Sequence, residues 1–162
     1  MIRTKRFLAL FLSLLLLSGL CGCDFFDTSP PSPEEIQTIF QENRDDFLLV
    51  TEYLVGTGYA DIFVNDDCTS AFANFKDIAI EDEAVVAALK RLNKNGCSHM
   101  SKNGNTVYFC LWTRFNDAGC GIAYSVDGTE ISIEYMTQSL PLSEEGWFYY
   151  VDDFNEWRAN NS

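Results

Sequence analysis

Four cysteines, one histidine and two closely spaced aromatic residues are the side chains whose types and spacing could do chemistry in this sequence. Cys68, Cys97, Cys110 and Cys120 are separated by 29, 13 and 10 positions. Those gaps contain no CxxC and match no zinc ribbon or finger, so a metal site is not expected. In an oxidising compartment the same residues would form disulfides, and four cysteines allow three full pairings. Lys102-Asn103-Gly104-Asn105 reads as a two-residue hairpin turn. If it sets the register, opposite residues sum to 207 and Cys97 faces Cys110 at a non-hydrogen-bonded pair. Cα atoms at such pairs approach to about 4.5 Å, inside the disulfide range. The expectation is Cys97–Cys110, with Cys68–Cys120 as the remainder; four reduced, buried thiols are the alternative.

His99 is the single histidine, so any Ser-His-Asp or Cys-His site must use it. The same register gives it Tyr108, Cys97 and Cys110 as neighbours, which do not make a nucleophile with an orienting partner. No catalytic residue is assigned, and a non-enzymatic role is expected. The acidic runs Asn65-Asp66-Asp67 and Asp152-Asp153 lack the spacing of a calcium loop and read as a solvated turn and a helix start. Tyr108 and Trp112 are more informative. Placed on one face beside small Gly121 and Ala123, they form a platform that could stack a sugar ring or anchor a partner protein. Tyr108, Trp112 and His99 are the candidate contact residues. The alternative is that Trp147, Phe148, Tyr149 and Trp157 fold over them as a second small core.

The elements that must position these residues are legible from punctuation and period. Ser32-Pro33-Glu34-Glu35 starts a helix, with a capping Ser, Pro at the first position and Glu closing the box. Ile36, Ile39, Phe40, Phe47, Val50 and Leu54 then give one apolar face of a long helix ending near Gly56 or Gly58. A short strand is expected over 59–64, an ambiguous stretch over 65–80, and a second helix over 82–95 stopped by Gly96. Turns at 102–105, 116–119 and 127–128 then define an antiparallel meander, with opposite residues summing to 207, 235 and 255. They put Met100, Val107, Phe109, Leu111, Ile122, Tyr124, Ile131 and Ile133 on one face. His99, Tyr108, Cys110, Trp112, Ala123 and Ser125 fall on the other. A loop is expected over 137–146, a last strand over 147–150 and a short helix over 152–157. The predicted fold is α+β in two layers: a four- or five-stranded antiparallel meander with two helices packed on one face.

The address lies at the start of the chain. Arg3, Lys5 and Arg6 precede an apolar run from Phe7 to Leu17 that is too short to cross a bilayer but suits a secretory signal. Leu20-Cys21-Gly22-Cys23 follows and resembles a bacterial lipobox, with Leu at −3 and Gly at −1 from Cys23. The resemblance implies cleavage before Cys23 and lipid, such as palmitate, on that residue. Residues 1–22 are then the signal peptide, 23–32 a Pro-stiffened tether, and 33–162 one globular domain. Cleavage removes three basic residues and no acidic ones, taking the net charge from −13 to −16. Such a surface is repelled by anionic headgroups and has no Lys/Arg stripe for nucleic acid.

Two further stretches carry a likeness. Gly121-Ile122-Ala123-Tyr124-Ser125 with Asp127-Gly128 is one. Pro141-Leu142-Ser143-Glu144, Gly146-Trp147-Phe148-Tyr149-Tyr150 and Asp153-Phe154-Asn155-Glu156-Trp157-Arg158 make up the other. On these the C-terminal two-thirds resembles a group of small uncharacterised Firmicutes proteins. The resemblance implies a low-GC Gram-positive source and no particular activity; Cys97, Cys110 and Cys120 fall outside the shared pattern. The expectation is a monomeric lipoprotein at the extracytoplasmic face of the cell membrane, binding an envelope protein or glycan without a cofactor. An inhibitor or immunity-type lipoprotein using its acidic surface against a basic partner is the alternative, and a cell-wall hydrolase a remote one.

Overall fold

The computed structural model describes residues 29–115, 117–129, 131 and 133–161; Cys23 and the signal segment lie outside them. The chain is α+β, built on one antiparallel sheet. Helix α1 (Pro33–Glu42) begins as its sequence dictates: the Glu35 N–H donates to Ser32 Oγ and the Ser32 N–H to Glu35 Oε2. The expected long helix is broken at Asn43. Its side-chain amide and its N–H both donate to the Ile39 carbonyl, ending α1, and α2 (Arg44–Gly56) starts at once after it. The seven-residue gap from Phe40 to Phe47 spans two turns, so both rings still reach the core.

Strands β1 (Asp61–Val64), β2 (Ser70–Ala73) and β3 (Lys76–Ala79) follow, then α3 (Glu83–Lys94), capped by Asp82. Strands β4 (His99–Asn103), β5 (Thr106–Arg114), β6 (Ala118–Ser125), β7 (Met136–Pro141) and β8 (Trp147–Asp153) and helix α4 (Phe154–Asn160) complete the chain. Among the described residues the sheet therefore has eight strands and the fold four helices, more than the four or five strands and two helices expected. The strand order is β3-β2-β1-β4-β5-β6-β8-β7. β1 falls within the short strand expected over 59–64, whereas β2 and β3 lie in the stretch read as ambiguous, because four-residue strands show too little period.

Helices α1, α2 and α3 cover one face. Ile36 and Phe40, Phe47, Val50 and Leu54, and Val85, Leu89 and Leu92 pack there against Ile62, Met100, Val107, Phe109, Ile122, Trp147 and Tyr149. The Arg91 guanidinium pairs with Asp46, joining α3 to α2. Gln37 and Arg44 bond Ser143 and Glu144, tying the helices to the β7–β8 turn. No helix among the described residues is long and apolar enough to cross a membrane.

The registers differ from those expected, for local reasons. Asn103 faces Thr106, so the first hairpin loop is Gly104-Asn105 and opposite residues sum to 209, not 207. Gly104 has φ +55 and takes the first loop position, the place of Gly in a type II′ turn. His99, rather than Cys97, therefore faces Cys110. The hairpin expected at 127–128 does not form. β6 pairs instead with β8 along its whole length, from Ala118↔Asp153 to Tyr124↔Trp147. The described residues between β6 and β7 (126–129, 131 and 133–135) leave the sheet and cross its outer face as a strap.

Asp127 fixes the start of that strap. Its carboxylate accepts from the Thr129 N–H and hydroxyl, the Ser125 hydroxyl and the Asn105 amide. These four donors hold it well below the usual carboxylate range. A carboxyl depressed in the folded state stabilises fully above its unfolded pKa of about 3.9 and loses that contribution as pH falls through the folded value. Urea midpoints of the wild type are expected to fall progressively below about pH 4, and Asp127→Asn to flatten that acid limb.

Candidate functional site

The outer face of the sheet, opposite the helices, is where the sequence-assigned residues gather. Because side chains alternate along each strand, one residue per strand lines up across it. Phe72, Phe63, Ser101, Tyr108, Ala123 and Phe148 are successive cross-strand partners and form one such row. Large rings thus stand between small residues, leaving a trough rather than a filled layer. A second row runs His99, Cys110, Gly121, Tyr150.

The strap divides the trough. Ile131 is buried beneath it with Ala123 and Tyr150, and Tyr108, Ile133, Met136 and Phe148 pack round them. The second small core expected over the platform therefore exists in part: Phe148 joins it, whereas Trp147 and Tyr149 belong to the main core. The far end of the strap is pinned where the Asp153 N–H meets the Tyr135 carbonyl and the Tyr135 ring packs edge-on to Phe154 and Trp157. On one side of Ile133 lies a cavity of about 320 Å³, walled by His99, Tyr108, Cys110, Gly119, Tyr150 and Asp152. On the other a hollow of about 350 Å³ is lined by Phe63, Ser101, Asn103, Tyr108 and Glu134. Beyond it Phe63 and Phe72 are half exposed, and Phe75 is 97% exposed at the β2–β3 turn. Asn74 and Phe75 both have positive φ there, a left-handed turn that bulky residues rarely occupy.

No family model, curated protein or solved structure matches this chain. The chemistry of the trough therefore carries the functional reading.

Tyr108 lies in both halves, and its ring meets Tyr150 edge-on at 6.2 Å. Trp112 does not join it. The β5–β6 register shifts between Cys110 and Trp112, so Leu111 is the extra residue of a bulge. Trp112 then pairs with Cys120 and packs, with Leu111, against the helix-side core. The expected Tyr108–Trp112 platform is thus split between faces, and Phe63 and Phe72 stand where its second ring was sought. The signal that could have found them is the alternation of Ile62-Phe63-Val64 and Ala71-Phe72-Ala73, with one large ring on the odd side of each strand.

No disulfide joins the four described cysteines in this structure. Cys97 and Cys120 are fully buried and Cys68 nearly so. Burial raises all three above the usual thiol value, Cys120 to about 12. Cys120 sits below the tether: its thiol and the Tyr149 hydroxyl both point to the Pro31 carbonyl, at 3.9 and 3.3 Å. Cys110 is half-buried on the trough side. Asp152, read from the sequence as part of a helix start, instead lies on β8, and the helix begins at Phe154. The Asp152 carboxylate lies over Gly119, where a Cβ would come within 2.6 Å of Oδ1. Partial burial raises its pKa, with like-charged Asp153 next to it adding to the effect. Among the described residues no three His, Cys, Asp or Glu side chains converge as metal ligands.

Proposed function

We propose that this protein is a lipid-anchored binding protein of the cell envelope, held to the extracytoplasmic face of the membrane through Cys23, that presents its outer sheet face to an envelope glycan or protein. The observation carrying the reading is the cross-strand row of rings over small residues, open at Phe63 and Phe72 and continuous with the hollow beside Ser101, Asn103 and Glu134. Flat rings flanked by side-chain hydroxyl, amide and carboxylate groups suit the apolar faces and hydroxyls of a sugar, or an aromatic anchor of a partner. A tethered domain with net charge −16 stays off the anionic headgroups beneath it, which leaves this face free.

The test immobilises the protein through position 23 and exposes it to solubilised envelope from its host. Retention of a glycan or protein is expected, with about tenfold or greater loss for Phe63→Ala combined with Tyr108→Ala, consistent with about 1.4 kcal/mol or more from such anchors. Binding should change little between low and high salt. Steep weakening with salt, and indifference to the double substitution, would favour the inhibitor reading, which rests on the same −16 charge. In the host, Cys23→Ala is expected to abolish palmitate incorporation and release the protein from membranes.

A further inference from the structure

The second half of the trough holds groups that partner binding does not use. Cys110 on β5 and His99 on β4 are direct cross-strand partners on the outer face, a position that brings side chains into contact range. Both line the cavity of about 320 Å³, with Tyr108, Tyr150 and Asp152 completing its titratable wall. The Cys110 thiol lies 3.3 Å from the Trp112 carbonyl, so the bulge itself holds the sulfur in place. The remaining thiols lack this setting: Cys68, Cys97 and Cys120 are buried, and burial disfavours their thiolates.

We propose that Cys110 is an exchange-active thiol, with His99 as its base, that captures neutral or cationic disulfides of small molecules or exposed chain segments in the cavity. The step balances without a further oxidant. The Cys110 thiol, which donates to the Trp112 carbonyl in this structure, turns from it to pass its proton to the His99 imidazole, and the thiolate attacks one sulfur of the incoming disulfide. The old S–S bond breaks as the Cys110–S–S–R bond forms. The departing sulfur leaves as a thiolate and takes up the imidazolium proton, so one half of the co-reactant is reduced as Cys110 is oxidised. Asp152 selects by charge, because its carboxylate faces the cavity and no described cation pairs with it. The groups facing the pair are Tyr108 on its own hairpin and Tyr150 and Asp152 on β8. The proposal uses the cavity alone and does not depend on what the open half of the trough binds.

The exported protein, purified from its host without reductant, is first weighed intact with and without dithiothreitol. A Cys97–Cys110 bridge in that material overturns the proposal and restores the pairing read from the hairpin. The protein, cleared of reductant, is then treated with cystamine, and adducts are mapped by peptide mass spectrometry. Cys110 is expected to react first, with Cys68, Cys97 and Cys120 silent until the protein is unfolded. The exposed substitution His99→Gln should leave the circular dichroism unchanged. It should slow the reaction at pH 7 about tenfold and change the shape of the pH–rate curve, because the base is gone. The wild type should react faster with cystamine than with the dianionic dithiobis(nitrobenzoate), and Asp152→Asn should narrow that ratio several-fold. Earlier reaction at another cysteine, or a rate and pH profile indifferent to His99→Gln, overturns the proposal. An unchanged ratio in Asp152→Asn overturns the charge selection.

Discussion

Trp147→Ala is expected to bring the protein to the edge of unfolding. The Trp147 ring is the hub of the helix-side core. Phe40 lies 4.8 Å from it, Tyr124 5.0 Å, and Phe47 and Phe109 each 6.2 Å, centroid to centroid. It therefore joins α1, α2, β5, β6 and β8, elements from both ends of the sequence. Truncating a buried Trp or Phe to Ala costs about 3–5 kcal/mol, since the hole closes only in part. Here each wall of the hole is another large ring held by a different element, which limits collapse and favours the upper end. Against a total stability of about 5–15 kcal/mol, little margin is left. Urea unfolding followed by circular dichroism should show the midpoint falling by more than half, whereas Trp147→Phe should lose about 1–2 kcal/mol. A Trp147→Ala midpoint near the wild-type value would mean that β8 does not close the core as described.

The faces of the sheet were legible further than its registers, and the reason is the period of two. The first hairpin is displaced so that opposite residues sum to 209 instead of 207, and the lower part of the second so that they sum to 231 instead of 235. Shifts of even size leave the paired side chains of these hairpins on their expected faces, so Met100, Val107, Phe109 and Ile122 reached the core and His99, Tyr108 and Cys110 the trough, whereas Ile131 and Ile133, expected on the core face, lie on the outer face because the third hairpin does not form. One inserted residue has the opposite effect. Beyond Leu111 the parity inverts and Trp112 crosses to the helix side. Nothing in Cys110-Leu111-Trp112 marks that bulge, since no glycine stands on β5 and both displaced residues are apolar. The residue opposite Cys110 differs for another reason: a shift of two preserves the face but puts His99, not Cys97, across from Cys110.

The cavity itself could not be read from local pattern. Its fourth wall comes from Tyr150 and Asp152, which reach Cys110 only because β6 chooses β8 over the residues after Gly128. That choice is made by length and burial. Trp147 to Val151 is a continuous apolar run able to cover both faces, supplying Trp147, Tyr149 and Val151 to the core and Phe148 and Tyr150 to the trough. The displaced segment, with Ile131 and Ile133 among its apolar residues, then serves as a strap. The break at Asn43 was hidden likewise, because Phe40 and Phe47 keep helical phase across it.

The trough needs β6 to be bare, and its two central glycines are expected to respond to the same substitution in opposite ways. At Gly121 an added Cβ would overlap the Phe109 carbonyl oxygen and stand 3.0 Å from its carbon and 3.1 Å from the Cys110 Cα. All three are main-chain atoms beside the bulge and cannot swing aside. Gly121→Ala must part β5 from β6 in the middle of the sheet, at an expected cost of about 3 kcal/mol or more and with loss of the Cys110 geometry. At Gly119 the added carbon meets the Asp152 carboxylate, 2.6 Å from Oδ1, which a side-chain rotation relieves. Rotation also moves a carboxylate out of a site where burial disfavours its charge. Gly119→Ala should therefore shift the urea midpoint by less than about 1 kcal/mol equivalent while displacing Asp152 from the cavity. Equal losses at the two positions would show that the strands do not approach at the bulge as closely as the structure places them. A benign Gly121→Ala would remove the bulge and return Trp112 to the face of Tyr108.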